Sequence, residues 1–116
     1  MVRVRNENRG TILGEAVSVA NTSATRNVGL LKHKSLNAGE GLWIVPCQSV
    51  HTFFMKFAID LVYLDKRRRV RKVRHAVPPW RTSGCLWARS VLELPAGSVA
   101  QTGTLPGDQL TIDELE

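Results

Sequence analysis

The sequence predicts a mainly β protein, either a β-sandwich or a partly open barrel with mostly antiparallel strands, and with one or two short helices. Short apolar stretches alternate with turn residues along the chain, and long segments with the 3.6-residue period of a helix are missing. Hydrophobic residues make up 43% of the 116 residues, which is enough to form a core. We therefore expect residues 1–116 to form a single domain.

Seven segments have the residue types and the alternation of β-strands. Asn8-Arg9-Gly10 is a plausible turn after the first segment, and the charged run after Asp65 is interpreted as the tip of a second hairpin. The predicted strands are residues 2–7, 11–20, 41–45, 59–65, 70–77, 87–94 and 109–113.

One helix is predicted across TRNVGLLKHKSL, residues 25–36, with Ser23 or Thr25 as its N-terminal cap. Its interrupted apolar stripe consists of Val28, Leu31 and Leu36. Gly29 inside a helix costs about 1 kcal/mol relative to alanine, which suggests close packing against a sheet. A second short helical turn is expected in residues 96–103.

The sequence contains no sign of a membrane span or a secretion signal. No apolar run approaches the roughly 20 residues of a membrane helix, and the N-terminal MVRVRNENRG lacks an apolar signal region. We expect a cytoplasmic protein, in which Cys47 and Cys85 are free thiols that pack as small apolar side chains. The motifs CxxC, HExxH, GxGxxG and GxSxG and the P-loop are missing, which argues against the common enzyme classes.

The positive charge is concentrated in one run, KRRRVRKVR, at residues 66–74. This run holds seven of the 16 basic residues, which leaves nine basic against ten acidic residues elsewhere. Val70 and Val73 interrupt it, so alternation places cations on both faces of the hairpin. The hairpin can bind nucleic-acid phosphates or an acidic protein, with stacking from Trp80 or Trp87, or it can be a solvated tip that protects a sheet edge. The candidate nucleic-acid contacts are Lys66, Arg67, Arg68, Arg69, Arg71, Lys72 and Arg74.

Cys47, His51 and Met55 are spaced four residues apart and are ligand types that soft metals prefer. On a straight strand, residues four apart are separated by about 13 Å, too far for one ion. Thr52 and the following phenylalanines favour β-structure, so we interpret the stretch as a strand-forming motif and predict no metal. His51 beside the Thr52 hydroxyl has the residue types of a general-base arrangement, or of a polar network that satisfies buried groups.

Six short motifs follow one another in the chain: Arg26-Asn-Val-Gly-Leu-Leu, Gly41-Leu-Trp-Ile, His51-Thr-Phe-Phe-Met, Ile59-Asp60 with Leu61 to Asp65, Leu92-Glu-Leu-Pro-Ala-Gly97, and Gly107-Asp108. In this order they resemble the bacterial and archaeal family called domain of unknown function 192. The resemblance covers nearly the whole chain and implies a small, mostly β fold with a helix that carries the Arg-x-x-Gly-Leu motif. It implies no established activity.

The sequence departs from the pattern of that family at three places. Phe54 stands where a small residue is usual, Ala58 where a proline often precedes Ile-Asp, and the basic run where a short acidic-to-glycine turn is usual. The basic tip is therefore interpreted as a feature of this protein and not of the family.

Arg26 and Asp60 are the motif residues that we expect to pair, because a planar guanidinium suits bidentate contact with a carboxylate. Glu93 stands between Leu92 and Leu94, so its side chain faces the opposite side of the strand. There it can be a second acidic partner, or it can be solvated.

We interpret the chain as a binding or interaction module rather than an enzyme, with no cofactor. The predicted ligand-binding residues are Arg26, His51, Thr52, Met55, Lys56 and Asp60. Two alternatives remain open: a nucleic-acid-associated module that uses residues 66–74, and a hydrolase-like enzyme that uses His51.

Overall fold

The computed structural model describes residues 1–115, which form nine strands and two short helices. The elements in chain order are β1 Val2–Asn6, β2 Thr11–Ala20, α1 Ser23–Val28, β3 Glu40–Ile44, β4 Ser49–His51, β5 Ile59–Leu64, β6 Val70–Val77, β7 Thr82–Gly84, β8 Ser90–Pro95, α2 Ser98–Thr102 and β9 Leu110–Glu114. Neither helix is long and apolar enough to cross a membrane.

Seven of the strands form one curled sheet in the order β6-β5-β8-β3-β2-β1-β9. The β2–β3 pair is parallel and the other neighbouring pairs are antiparallel. A bridge between Arg69 and Gln109 brings the two edges of the sheet together, so that the sheet forms a half-barrel. The remaining strands, β4 and β7, pair as a separate two-stranded sheet. The prediction of a mainly β, mostly antiparallel fold with two short helices is confirmed.

Alternation along the central strands divides the core into two clusters, one on each face of the sheet. Val62 and Leu92 belong to the cluster that packs against α2, whereas Leu61 and Val91 belong to the cluster beneath the turn after α1. Asp60 pairs with Leu94 and so lies on the α2 face, while Glu93 pairs with Leu61 and lies on the opposite face. The register therefore places two buried carboxylates on opposite sides of one sheet.

The prediction of the first helix over residues 25–36 is wrong in its extent, because the observed helix is α1. It covers Ser23–Val28 and ends at Gly29, whose φ of 51° is unfavourable for any residue with a side chain. The cap is Thr22 and neither of the predicted residues, because Thr22 and Thr25 satisfy each other's backbone N–H groups in a capping box. Because Gly29 ends the helix, the loss of stability that glycine causes in a helix interior does not apply to it.

The stretch from Cys47 to Asp60, which we interpreted as a strand-forming motif, is not one continuous strand. It contains the short β4, then a turn in which the Met55 N–H donates to the Thr52 carbonyl, and then the start of β5. β7 is not among the predicted strands. Strands of three residues carry too little alternation to be recognised without their partner.

Candidate functional site

A cleft opens between the end of α1, the segment from Pro46 to His51, and β8. It has a volume of about 360 Å³ and Glu93 lies within its lining. We call it the Glu93 cleft. Its apolar wall residues include Leu30, Leu31, Ile44, Val50 and Met55, and its polar lining includes Arg26, Cys47 and His51.

Glu93 is the unusual group of this cleft. Its side chain is 3% exposed, and its carboxylate accepts no hydrogen bond from any residue in the described range 1–115. Burial alone raises the pKa of Glu93 to about 7. A buried carboxyl normally has partners, because removing a charge from water is costly. A group held half-ionised near neutral pH in a cleft is typical of a functional site.

Gly29 leaves the approach to this carboxyl open. A Cβ at position 29 would lie 4.0 Å from Glu93 Oε1, so a longer side chain would cover the carboxyl. The same residue ends α1 with a positive φ, so both the helix stop and the open cleft require glycine.

Cys47 borders the same cleft as a free thiol. Burial raises the pKa of Cys47, and the nearby charge of Glu93 raises it further. The thiol is therefore protonated at neutral pH and is not an activated nucleophile.

A second, larger depression adjoins the cleft. It has a volume of about 940 Å³ and is lined by the hairpin tip after β5, the segment before β8 and the segment after β3. Its charged lining consists of Arg26, Asp65, Lys66, Arg67, Arg69, Arg71 and Arg89. Six cations thus face one carboxylate, and we call this depression the basic groove.

The one carboxylate of the basic groove organises the hairpin tip. Asp65 Oδ1 accepts hydrogen bonds from the backbone N–H groups of Arg67 and Arg69 at 2.9 and 3.0 Å, and Oδ2 accepts from Arg71 Nε at 3.0 Å. Burial would raise the pKa of Asp65, but these hydrogen bonds outweigh it and lower the pKa. The side chains of Arg67 and Arg69 have no carboxylate partner among residues 1–115.

The structure divides the seven predicted nucleic-acid contacts. Lys66, Arg67, Arg69 and Arg71 line the groove. Arg68 instead lies over the ring of Trp43, and Lys72 donates to the Gly84 carbonyl. Arg74 is exposed and lines neither the groove nor the cleft.

Two groove cations, Arg26 and Arg89, come from outside the basic run, and sequence reasoning did not connect them with it. Of the predicted stacking residues, Trp87 lines the groove and is 80% exposed, whereas Trp80 packs against Phe53 and Phe54 elsewhere.

The six predicted ligand-binding residues are also divided. Arg26, His51 and Met55 line the Glu93 cleft, and Lys56 is exposed outside it. Thr52 is buried, its hydroxyl donating to the Pro78 carbonyl at 2.7 Å and accepting from the Arg81 N–H at 2.9 Å. These bonds direct the hydroxyl to the 78–81 segment, so His51 and Thr52 do not form a base-and-nucleophile pair.

The expected pairing of Arg26 with Asp60 is wrong. Asp60 is fully buried on the α2 face, where it accepts backbone hydrogen bonds from Ala76, Gly97 and Val99. Arg26 lies across the sheet and donates to the carbonyls of Pro46 and Thr22. Residues 59 to 64 alternate between faces, and the turn after α1, with Leu30, packs on the face that Asp60 does not reach.

The three soft ligand types, Cys47, His51 and Met55, do converge on the Glu93 cleft, because a turn replaces the expected continuous strand. Even so, no group of three His, Cys, Asp or Glu side chains within residues 1–115 is arranged to hold a metal ion.

Relatives with this sequence pattern are known. The pattern of the family called domain of unknown function 192, described as "Uncharacterized ACR", matches residues 4–112. A UPF0127 protein of Thermococcus gammatolerans is 31% identical over 117 residues, which cover 96% of this chain and 75% of the relative. A UPF0127 protein of Thermococcus sibiricus is 29% identical over 114 residues, with coverages of 90% and 71%.

Two solved structures share the fold. A protein of unknown function from Novosphingobium aromaticivorans superimposes with a TM-score of 0.77 at 22% identity, over 95% of this chain and 82% of the other. A protein from Sinorhizobium meliloti, described as a candidate transcription regulator, gives a TM-score of 0.82 at 20% identity, with coverages of 96% and 91%.

Proposed function

The chain belongs to the domain of unknown function 192 family, and because that family is uncharacterised, we propose a function from the site itself: the protein is a binding module for single-stranded nucleic acid. The observation that carries the proposal is the basic groove, where six cations face one carboxylate that is already used by the backbone and by Arg71. Phosphates would supply the negative charge that the groove lacks.

The shape of the groove and its aromatic residue favour a single strand. Duplex DNA is recognised by elements that protrude into its grooves, whereas this surface is concave. Trp87 is exposed at the groove and offers a face on which a base can stack. Five of the six cations are arginines, whose planar fork suits phosphate oxygens.

Salt dependence tests this proposal. Fluorescence anisotropy with a labelled oligothymidylate of about 12 nucleotides, between roughly 50 and 200 mM KCl, should give a slope of log K against log salt of about −4, since each of the six groove cations can neutralise one phosphate and each neutralised phosphate contributes about −0.7. The double variant Arg67→Gln/Arg69→Gln should flatten this slope by about 1.4. Trp87→Ala should weaken binding by about 1–3 kcal/mol without changing the slope.

The matched control is Arg74→Gln/Lys32→Gln, which removes the same charge at exposed positions outside the groove. It should leave the slope unchanged. Equal flattening by both double variants would show that only net charge matters and would contradict a groove site. Competition by poly-glutamate at the same charge concentration, as strong as that by the oligonucleotide, would favour an acidic protein partner instead.

A further inference from the structure

The Glu93 cleft holds a buried carboxyl that the fold leaves without a partner. Three other buried acids, Asp60, Asp108 and the partly buried Asp65, each accept hydrogen bonds from donors supplied by the fold. Glu93 lacks such donors although it is 3% exposed and lines an open cleft. A buried acceptor with access to a cleft is a binding position for a ligand that brings its own N–H groups.

The walls of the cleft define the rest of such a ligand. Leu30, Ile44 and Val50 give the mixed lining an apolar part, and the volume of about 360 Å³ lies at the lower end of the roughly 300–1,000 Å³ that ligand pockets occupy. A flat group with apolar faces and N–H donors along one edge matches both properties. A nucleobase is such a group.

The cleft and the basic groove adjoin each other. Both are lined by Arg26 and by the segment 46–49. Arg26 is held at this boundary by its hydrogen bond to the Pro46 carbonyl at 3.2 Å and by its contact with the Thr22 carbonyl at 3.3 Å. A strand whose phosphates follow the groove therefore passes the mouth of the cleft.

We propose that the Glu93 cleft takes one unstacked base of the strand bound in the basic groove, and that the base is guanine, recognised by the Glu93 carboxylate. This inference rests on the proposed function. An ionised carboxylate has two acceptor oxygens and no donor. Among the common bases, only guanine presents two adjacent donors, N1–H and the 2-amino group, on its Watson–Crick edge. Single-stranded recognition commonly uses that edge of a splayed base.

The charges of Glu93 and Arg26 suit a bound guanine nucleotide. Two N–H donors would favour the ionised form of Glu93, because hydrogen bonds to a carboxylate stabilise its charge. Arg26 at the mouth would meet the phosphate of the same nucleotide, so that the base and the backbone are bound at neighbouring positions.

The experiment uses oligothymidylates that differ in one central base: guanine, hypoxanthine, which lacks the 2-amino group, or adenine. Wild-type protein should bind the guanine oligonucleotide about tenfold more tightly than the adenine one, with hypoxanthine between them. Glu93→Gln keeps the size of the side chain but replaces one acceptor with a donor, so it should remove this preference. The melting temperature of the variant establishes that it is folded, and an unchanged salt slope with plain oligothymidylate establishes that its groove is intact.

Three outcomes separate the two proposals. A guanine preference that Glu93→Gln abolishes supports the base cleft. Salt-dependent binding with equal affinity for the three oligonucleotides, or a preference that survives in Glu93→Gln, overturns the base cleft and leaves the nucleic-acid function standing. No binding of any oligonucleotide by the wild-type protein overturns both. Should Glu93→Gln fail to fold, Leu31→Trp, which narrows the cleft from a half-buried position, serves as the second variant and should abolish the same preference.

Discussion

Asp60 and Glu93 lie on neighbouring strands, both buried, yet their surroundings differ completely. Asp60 Oδ1 accepts the Ala76 N–H at 2.7 Å, and Oδ2 accepts the N–H groups of Gly97 and Val99 at 3.1 and 2.9 Å. Glu93 accepts no hydrogen bond from the described chain, and burial raises its pKa to about 7. The carboxylate on one face of the sheet thus has hydrogen-bond donors from the fold, and the carboxylate on the other face has none among residues 1–115.

The hydrogen-bond partners of the two buried acids indicate their different roles. Asp60, on β5, joins three elements, since its donors are Ala76 in β6, Gly97 in the turn before α2 and Val99 in α2 itself. It also holds Ala76 at a φ of 46°, where the β5–β6 register shifts. Its role is structural. Glu93 joins nothing and faces a cleft, which is the basis on which we propose a binding role for it.

Replacing Asp60 should have the largest effect on stability. Asp60→Asn retains only one acceptor oxygen and turns an amide N–H toward backbone donors, so at least one donor stays buried and unpaired. We expect the free energy of unfolding to fall by about 4 kcal/mol, measured by urea denaturation at neutral pH. Asp113→Asn is the control, because its exposed ion pair with Arg5 should contribute less than about 1 kcal/mol. Equal small losses in both variants would contradict a structural role for Asp60.

Replacing Glu93 should raise the free energy of unfolding, the opposite of the effect at Asp60, and the size of the gain from Glu93→Gln should depend on pH. The carboxyl has a pKa of about 7 when folded against an ordinary value of 4.5. Between these values the folded protein binds more protons than the unfolded chain, so this group lowers stability as pH rises from about 4.5 to about 7, by roughly 3 kcal/mol in all.

The variant lacks this titration, so it should match the wild type near pH 5 and be more stable than the wild type at pH 8. Urea denaturation of both proteins at the two pH values measures the difference. If the two proteins lose stability in parallel between pH 5 and pH 8, Glu93 does not titrate in this range and the contrast with Asp60 fails.

Arg26→Gln should have the smallest effect on stability. Its guanidinium donates to two carbonyls at a partly exposed site and pairs with no carboxylate among residues 1–115, so we expect a loss below about 1 kcal/mol. Binding of oligothymidylate should nevertheless weaken, and its salt slope should fall by about 0.7. A stability loss of about 3–5 kcal/mol would instead be the signature of a buried ion pair, and would restore the pairing with Asp60 that the structure excludes.

Part of the basic groove could be predicted from the basic run at residues 66–74. Its composition predicted a basic hairpin, and four of its seven cations do line the groove. Alternation alone does not identify which four, because the tip is a turn whose geometry Asp65 sets through two backbone N–H groups. Arg26 and Arg89 enter the groove from segments distant in sequence, and no local pattern links them to the run.

The seven longer strands, the turn at Asn8, the second helix and the family are all predictable from the amino-acid sequence, because they depend on alternation, turn residues and motif order along a local stretch. The sequence also placed Glu93 on the face opposite Leu92 and Leu94. What covers that face depends on how distant segments pack in the folded protein. An open antiparallel sheet often leaves one face in water, and a solvated Glu93 would follow from that rule. Here the turn after α1 and the 46–51 segment cover the face and leave one cleft over the carboxyl, because packing between distant segments, and not local alternation, decides which side chains water can reach.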